Sequence, residues 1–118
     1  MRQHIWKPVV HKNTWYWGRT HTIVIRNGHG LVNVSIENDN LKVATIHGLS
    51  VTEDYRGLGT GRTLIWEAEQ EAHEMGANRI EICVENGSWV EDWYKRCGYK
   101  KSDKCEDWNG SVLVKDIQ

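Results

Sequence analysis

Residues 20–26 read Thr-His-Thr-Ile-Val-Ile-Arg, alternating with a period of two and rich in β-branched side chains, which predicts a strand with one face turned to a core. Asn27-Gly28-His29-Gly30 follows, and because glycine and asparagine tolerate positive φ this segment predicts a hairpin turn. Val32, Val34 and Ile36 mark one face of a second strand over Leu31–Glu37, and Asn38-Asp39-Asn40 makes the next turn. Leu41–Val51 reads as a third, longer strand, so this half forms an antiparallel meander. The 19 residues ahead of Thr20 are aromatic and basic and show no assignable period.

The pattern changes at Thr52. Thr52-Glu53-Asp54-Tyr55-Arg56-Gly57-Leu58-Gly59-Thr60-Gly61 is a glycine-punctuated loop. Leu64, Ile65, Ala68, Ala72 and Met75 then recur at helical spacing over Arg62–Met75, and Gly76 stands where a left-handed residue would end that helix. Ile80, Ile82 and Val84 predict a strand over Arg79–Val84. Trp89, Val90, Trp93, Tyr94 and Cys97 form a short helical stripe closed by Gly98, and Val112 and Val114 mark a last strand after a 102–109 connection. Three strands, helix, strand, helix and strand predict an α+β (mixed α/β) layer around one sheet.

The chain has 118 residues, no internal repeat and no linker, so 1–118 reads as a single domain. A chain of this size buries about two-thirds of its surface on folding, enough for one core without disulfides. Lys and Arg total 15 against 16 Asp and Glu, which excludes a broad electrostatic commitment to nucleic acid or anionic membrane. No apolar run reaches the ~20 residues of a membrane span, and the first eight residues carry no signal-peptide apolar stretch; the expected location is cytoplasmic. Cys83, Cys97 and Cys105 are odd in number and lack C-x-x-C spacing, and the histidines show no ligand spacing, so neither a disulfide framework nor a metal site is expected.

The informative unit lies between a strand and a helix: Arg56-Gly57-Leu58-Gly59-Thr60-Gly61. Glycines let backbone approach a ligand, and a helix N-terminus offers unpaired N–H groups and a positive dipole end suited to phosphate. A P-loop needs a Lys-Ser/Thr pair where the chain has Arg62, and a dinucleotide fingerprint needs a third glycine at the same place; both fail on spacing.

The string resembles motif A of the GCN5-related N-acetyltransferases, Arg/Gln-x-x-Gly-x-Gly/Ala, preceded here by the family-like strand end Leu49-Ser50-Val51. Tyr94-Lys95-Arg96-Cys97-Gly98-Tyr99 is similar to the family's Tyr-x-x-x-Gly-aromatic pattern, one strand further on. The resemblance covers about residues 20 to 115. It implies a central, mostly antiparallel, twisted sheet with splayed strands flanked by helices, and acetyl-CoA bound where two strands part. Backbone N–H groups of Arg56, Gly57, Leu58, Gly59, Thr60 and Gly61 would hold the pyrophosphate. Main-chain groups of Leu49 and Val51 would pair with the pantetheine arm as an added strand does, their side chains being core. Asn86, eight residues before Tyr94, is the candidate for a further cofactor contact.

One departure shapes the acceptor side. The family has two helices between its first and second strands, and 19 residues are too few for a strand and two helices. The acceptor wall is therefore expected to be truncated, more open, or completed by another subunit, and Trp6, Trp15 and Trp17 would line a pocket or bury a homodimer contact.

Acetyl transfer to an amine needs a base, a site for the oxyanion and a proton for the departing thiolate. Tyr94 matches the family's acid. For the base, period-two alternation is expected to put His47 on one strand face with Leu49 and Val51, and His47-Gly48-Leu49-Ser50-Val51 is similar to the arylalkylamine acetyltransferase branch. Glu53 is the alternative, recruiting water at the loop. Glu67, Glu69, Glu71 and Glu74 read as a solvated acidic helix face. The resulting expectation is an acetyl-CoA-dependent enzyme acting on a primary amine of a small molecule or a protein. A non-catalytic CoA-binding module and an enzyme acting on aminoacyl-tRNA are the alternatives.

Overall fold

The computed structural model describes residues 11–57, 59–85, 87–102 and 110–117, which leaves Leu58, Asn86, Cys105 and Trp6 outside the described residues. Four antiparallel strands run in a meander: β1 (His11–Trp17), β2 (Thr20–Arg26), β3 (Gly30–Glu37) and β4 (Asn40–Val51). A 3-10 turn (Glu53–Tyr55) leads to helix α1 (Thr60–Glu74), then β5 (Arg79–Glu85), helix α2 (Trp89–Arg96), the short β6 (Lys100–Lys101) and β7 (Gly110–Asp116). Among the described residues the strands form one sheet in the order β1-β2-β3-β4-β5-β7-β6, with β4 and β5 parallel and every other pair antiparallel.

The predicted elements stand within one or two residues of those observed, except at the two ends. β1 lies in the stretch with no assignable period, and the reason is physical. Its inward face carries Lys12, whose ammonium meets Glu71 of α1 at 2.7 Å, in place of an apolar stripe, and the strand is held by its seven-residue ladder with β2. β1 turns directly into β2 through Gly18 (φ +60°) and Arg19, with Trp17 paired to Thr20, so no helix separates the first two strands. β6 has two residues and carries no pattern to read.

Both helices lie on one face of the sheet and touch each other. A Cβ added to Gly61 would stand 3.0 Å from Cζ2 of Trp93, and Arg62 donates to the Arg96 carbonyl at the end of α2. Between helices and sheet sits the core: Ile23 and Ile25, Val32 and Val34, Ala44 and Ile46, Ile80 and Ile82, with Leu64, Ile65, Ala68 and Ala72 from α1. Burying a side chain of this kind is worth about 1.5–3 kcal/mol, which makes this layer the main support of the fold. α1 ends as predicted, Gly76 (φ +98°) placing its N–H on the His73 carbonyl and the Ala77 N–H on Ala72.

Glu69 corrects the expectation of a uniformly solvated acidic helix face. It falls on the inward stripe with Ile65 and Ala72 and is 8% exposed, accepting from the Tyr99 hydroxyl at 2.8 Å and from Lys115 at 3.1 Å. A buried carboxylate must be compensated in this way, whereas Glu71 is satisfied by Lys12 nearer the surface. The opposite face of the sheet, where Thr22, Ser35, Thr45 and His47 point, carries no helix among the described residues. No described helix is long and apolar enough to cross a membrane.

Candidate functional site

β4 and β5 pair at only three positions, Val43–Arg79, Ala44–Ile80 and Thr45–Glu81. Beyond them β4 stays with β3 and β5 with β7, so the two parallel strands part. The gap is a cleft of about 400 Å³, lined by His47 and Gly48, by Cys83 and Val84, and by Trp89 and Tyr94 of α2.

A bulge in β4 shapes one wall. Leu31 pairs with Ser50 but Asn33 with His47, so β4 carries one residue more than β3 over this stretch. Gly48 takes the extra turn at φ +65°, and a Cβ there would run into the Asn33 side-chain amide. The bulge reverses the side-chain alternation: Ala44 and Ile46 face the core before it, Leu49 and Val51 after it. His47 therefore does not share a face with Leu49 and Val51, which corrects the period-two expectation. It projects to the helix-free side, where its Nε2 and the Ser35 hydroxyl are 2.7 Å apart.

The loop after β4 is a backbone cradle. Gly57 (φ +79°) and Gly59 (φ +81°) both occupy the left-handed region, and a Cβ at either would meet nothing within 4 Å. Gly59 is the N-cap of α1 and no side chain caps the helix, so its first-turn N–H groups face outward with the positive dipole end behind them. Arg56 folds back and donates from Nε to the Val51 carbonyl at 3.2 Å. That engages one lone pair of the Val51 carbonyl. Thr60 begins α1, while Gly61 serves packing as well, its missing side chain giving Trp93 its seat. These groups suit an anionic, pyrophosphate-like ligand at the helix end.

Tyr94 reaches the cleft from the helix side. It is 5% exposed, edge-on to Trp93 and Tyr99 at centroid distances of 5.0 and 5.8 Å. Burial, with Cys97 beside it, pushes its phenol up to about 12, so it keeps its proton at neutral pH. Partial burial moves His47 the other way, below its ordinary 6.5, which leaves the ring neutral. A neutral phenol and a neutral imidazole thus line one cleft from opposite sides of the sheet. The start of α2 is fixed by Ser88, which accepts from the Glu91 N–H, and by the Glu91 carboxylate, which accepts from the Gly87 N–H at 2.9 Å. Glu53 sits exposed on the 3-10 turn, and Trp15 is 63% exposed on β1.

Ser35 and Thr22 went unread in the sequence. Their hydroxyls are 2.8 Å apart and continue the contact from His47 across three strands. Alternation alone puts each on a polar face; their meeting depends on the cross-strand registers of β2 with β3 and of β3 with β4.

Comparison with known proteins follows the same lines. The family model described as "Acetyltransferase (GNAT) family" matches residues 5–99. An uncharacterized N-acetyltransferase of Chlorobaculum tepidum is 36% identical over 64 residues, 54% of this chain and 39% of that protein. One from Methanocaldococcus jannaschii is 36% identical over 69 residues, 57% of this chain and 30% of that protein. The aligned parts thus span well under half the length of these relatives. Among solved structures, the PaiA N-acetyltransferase of Thermoplasma acidophilum in complex with coenzyme A superposes with a TM-score of 0.68 at 19% identity, over 84% of this chain and 62% of that one. At that identity the likeness is one of fold.

Proposed function

The chain belongs to the acetyltransferase (GNAT) family, and on that premise we propose that it is an acetyl-CoA-dependent N-acetyltransferase that acetylates a primary amine by direct attack within a ternary complex. The observation that carries this reading is the cleft between β4 and β5, with the uncapped α1 N-terminus and glycine loop at one end and both His47 and Tyr94 in its walls. The coenzyme's pyrophosphate would lie on the 56–61 backbone and its pantetheine arm along β4 at Leu49, as the coenzyme complex of the structural neighbour encourages. Asn86, outside the described residues, keeps its proposed cofactor contact.

In this reading His47 takes the amine's proton, directly or through water. The nitrogen lone pair forms the new N–C bond, and the C–S bond breaks as the carbonyl re-forms. Tyr94 donates to the departing sulfur. Its raised pKa suits a hydrogen-bond donor that keeps its proton until the thiolate appears. The proton held on His47 then returns through solvent to the phenolate.

The helix-free sheet face beside His47 favours an acceptor too large for a closed pocket, such as a protein amine. Exposed Trp15 and Tyr16 on edge strand β1 support a homodimer in solution, which sedimentation would read directly. The decisive experiment follows free thiol released from acetyl-CoA over a panel of small amines, polyamines and lysine peptides, with calorimetric binding of acetyl-CoA alongside. Gly59→Glu, which sets a carboxylate where the pyrophosphate should lie, is expected to abolish both signals. Binding without turnover on any amine would turn the assignment toward a coenzyme-binding module, and absence of binding would overturn it.

A further inference from the structure

We propose that Ser35, backed by Thr22, is the positioning residue of His47: its hydroxyl holds Nε2 and leaves Nδ1 as the nitrogen that takes the amine's proton. The inference rests on the base role proposed above for His47. Three hydroxyl and imidazole groups on adjacent strands form one chain, Thr22 Oγ1 to Ser35 Oγ at 2.8 Å and Ser35 Oγ to His47 Nε2 at 2.7 Å. Both contacts are short enough to be full hydrogen bonds. Cross-strand register supports the first, because Thr22 and Ser35 are direct partners in the β2–β3 ladder. The second is a diagonal contact in the regular part of the β3–β4 ladder: Asn33 is the ladder partner of His47 and Ser35 that of Thr45, so Ser35 reaches the ring along the strand.

In a neutral imidazole, the bond made by one nitrogen decides which carries the proton. For Nδ1 to accept, Nε2–H must donate to Ser35, and Ser35 must then donate onward. Thr22 gives that onward acceptor at the position required. After proton transfer the imidazolium carries two N–H groups, and the one on Nε2 is already satisfied. A lone surface histidine would sample both tautomers and several rotamers; this one has its far nitrogen committed. The titratable and charged groups of β5 on its face are Arg79 and Glu81 at the paired seam and Cys83 across the gap, and Tyr94 faces it from α2.

Ser35→Ala, Ser35→Thr, Thr22→Val and His47→Gln test the assignment, each read by kcat, by KM for acetyl-CoA, by the pH profile of kcat/KM and by nitrogen NMR of the His47 ring. The expected result is a loss of about tenfold in kcat for Ser35→Ala with KM for acetyl-CoA unchanged, a fraction of the ~10²–10⁴-fold that a general base supplies. The ring should also move from the Nε2–H tautomer to a mixture, and the acidic limb of the profile should shift to lower pH as the imidazolium loses its acceptor. Ser35→Thr should restore most of the activity, and Thr22→Val should reproduce part of the defect. Wild-type turnover, profile and tautomer in Ser35→Ala, with His47→Gln inactive, would overturn the positioning role while leaving His47 as base. Wild-type turnover in His47→Gln would instead overturn the base role itself.

Discussion

Tyr94 and His47 reach the same cleft with pKa values displaced in opposite directions, upward to about 12 for the phenol and below 6.5 for the imidazole. Each displacement favours the neutral form, because a partly buried site penalises charge of either sign. With the amine's own titration divided out, kcat/KM should rise through a single acidic limb lying below pH 6.5 and set by His47. It should then stay level from about pH 7 to about pH 10, since Tyr94 does not ionise there. A steady-state pH series checks this, and a downward limb near neutrality would remove Tyr94 as the proton donor. Tyr94→Phe should lower kcat by about 10²-fold while calorimetry finds acetyl-CoA binding almost unchanged. At this scale the sequence disclosed the two residues but not their environment. Tyr94 was legible from its place ahead of Gly98 and Tyr99. The face that His47 takes was not, because one inserted residue in a strand inverts every alternation after it.

Among the elements, β4 does the most to make the site. Its bulge at Gly48 puts His47 on one side of the sheet and Leu49 on the other, and it falls where β4 leaves β5. Gly48→Ala forces a side chain into the left-handed region and against Asn33, so it should cost about 1–3 kcal/mol. That corresponds to a Tm lower by several degrees, read by thermal unfolding, with turnover falling further than stability alone explains. The glycine itself was visible in the sequence; its bulge was not, because a bulge is a relation between two strands. The helices were easier. α1 follows its apolar stripe to Gly76, and the Glu69 that breaks the expected acidic face does so because Tyr99 and Lys115 reach it from elements far along the chain. β1 stayed hidden because its inward face carries Lys12, paired to Glu71, where an apolar residue would have marked the period, and its ladder with β2 does not show in the sequence.

For the molecule as a whole, the buried tyrosines make stability sensitive to alkali. Tyr94 and Tyr99 are both raised by burial, Tyr99 further by the Glu69 carboxylate beside it. The unfolded chain loses these protons near pH 10, while the folded chain holds them at least to about 12 for Tyr94. Above about pH 10 the folded state therefore binds more protons than the unfolded, and its stability must fall as pH rises. Tm measured from pH 8 to 11 should decline at the upper end, and Tyr94→Phe with Tyr99→Phe should flatten the decline. At this scale the family was readable from two short motifs, and strands β2, β3, β4, β5 and β7 from their alternation, but not β1, β6 or the order in which the strands lie in the sheet. The direct β1–β2 turn left the helix-free face foreseeable in kind, though not which hydroxyls would line it. One further consequence follows from the three-position contact between β4 and β5. The described strands form two leaves joined by a short seam, with the core and α1 bridging behind it. A ligand arm lying along β4 would act as a stitch across the gap. Amide hydrogen exchange at Val43–Thr45 and Arg79–Glu81 should slow when acetyl-CoA binds, and a pulling force applied across the sheet should find its weakest line there in the empty protein and elsewhere in the loaded one.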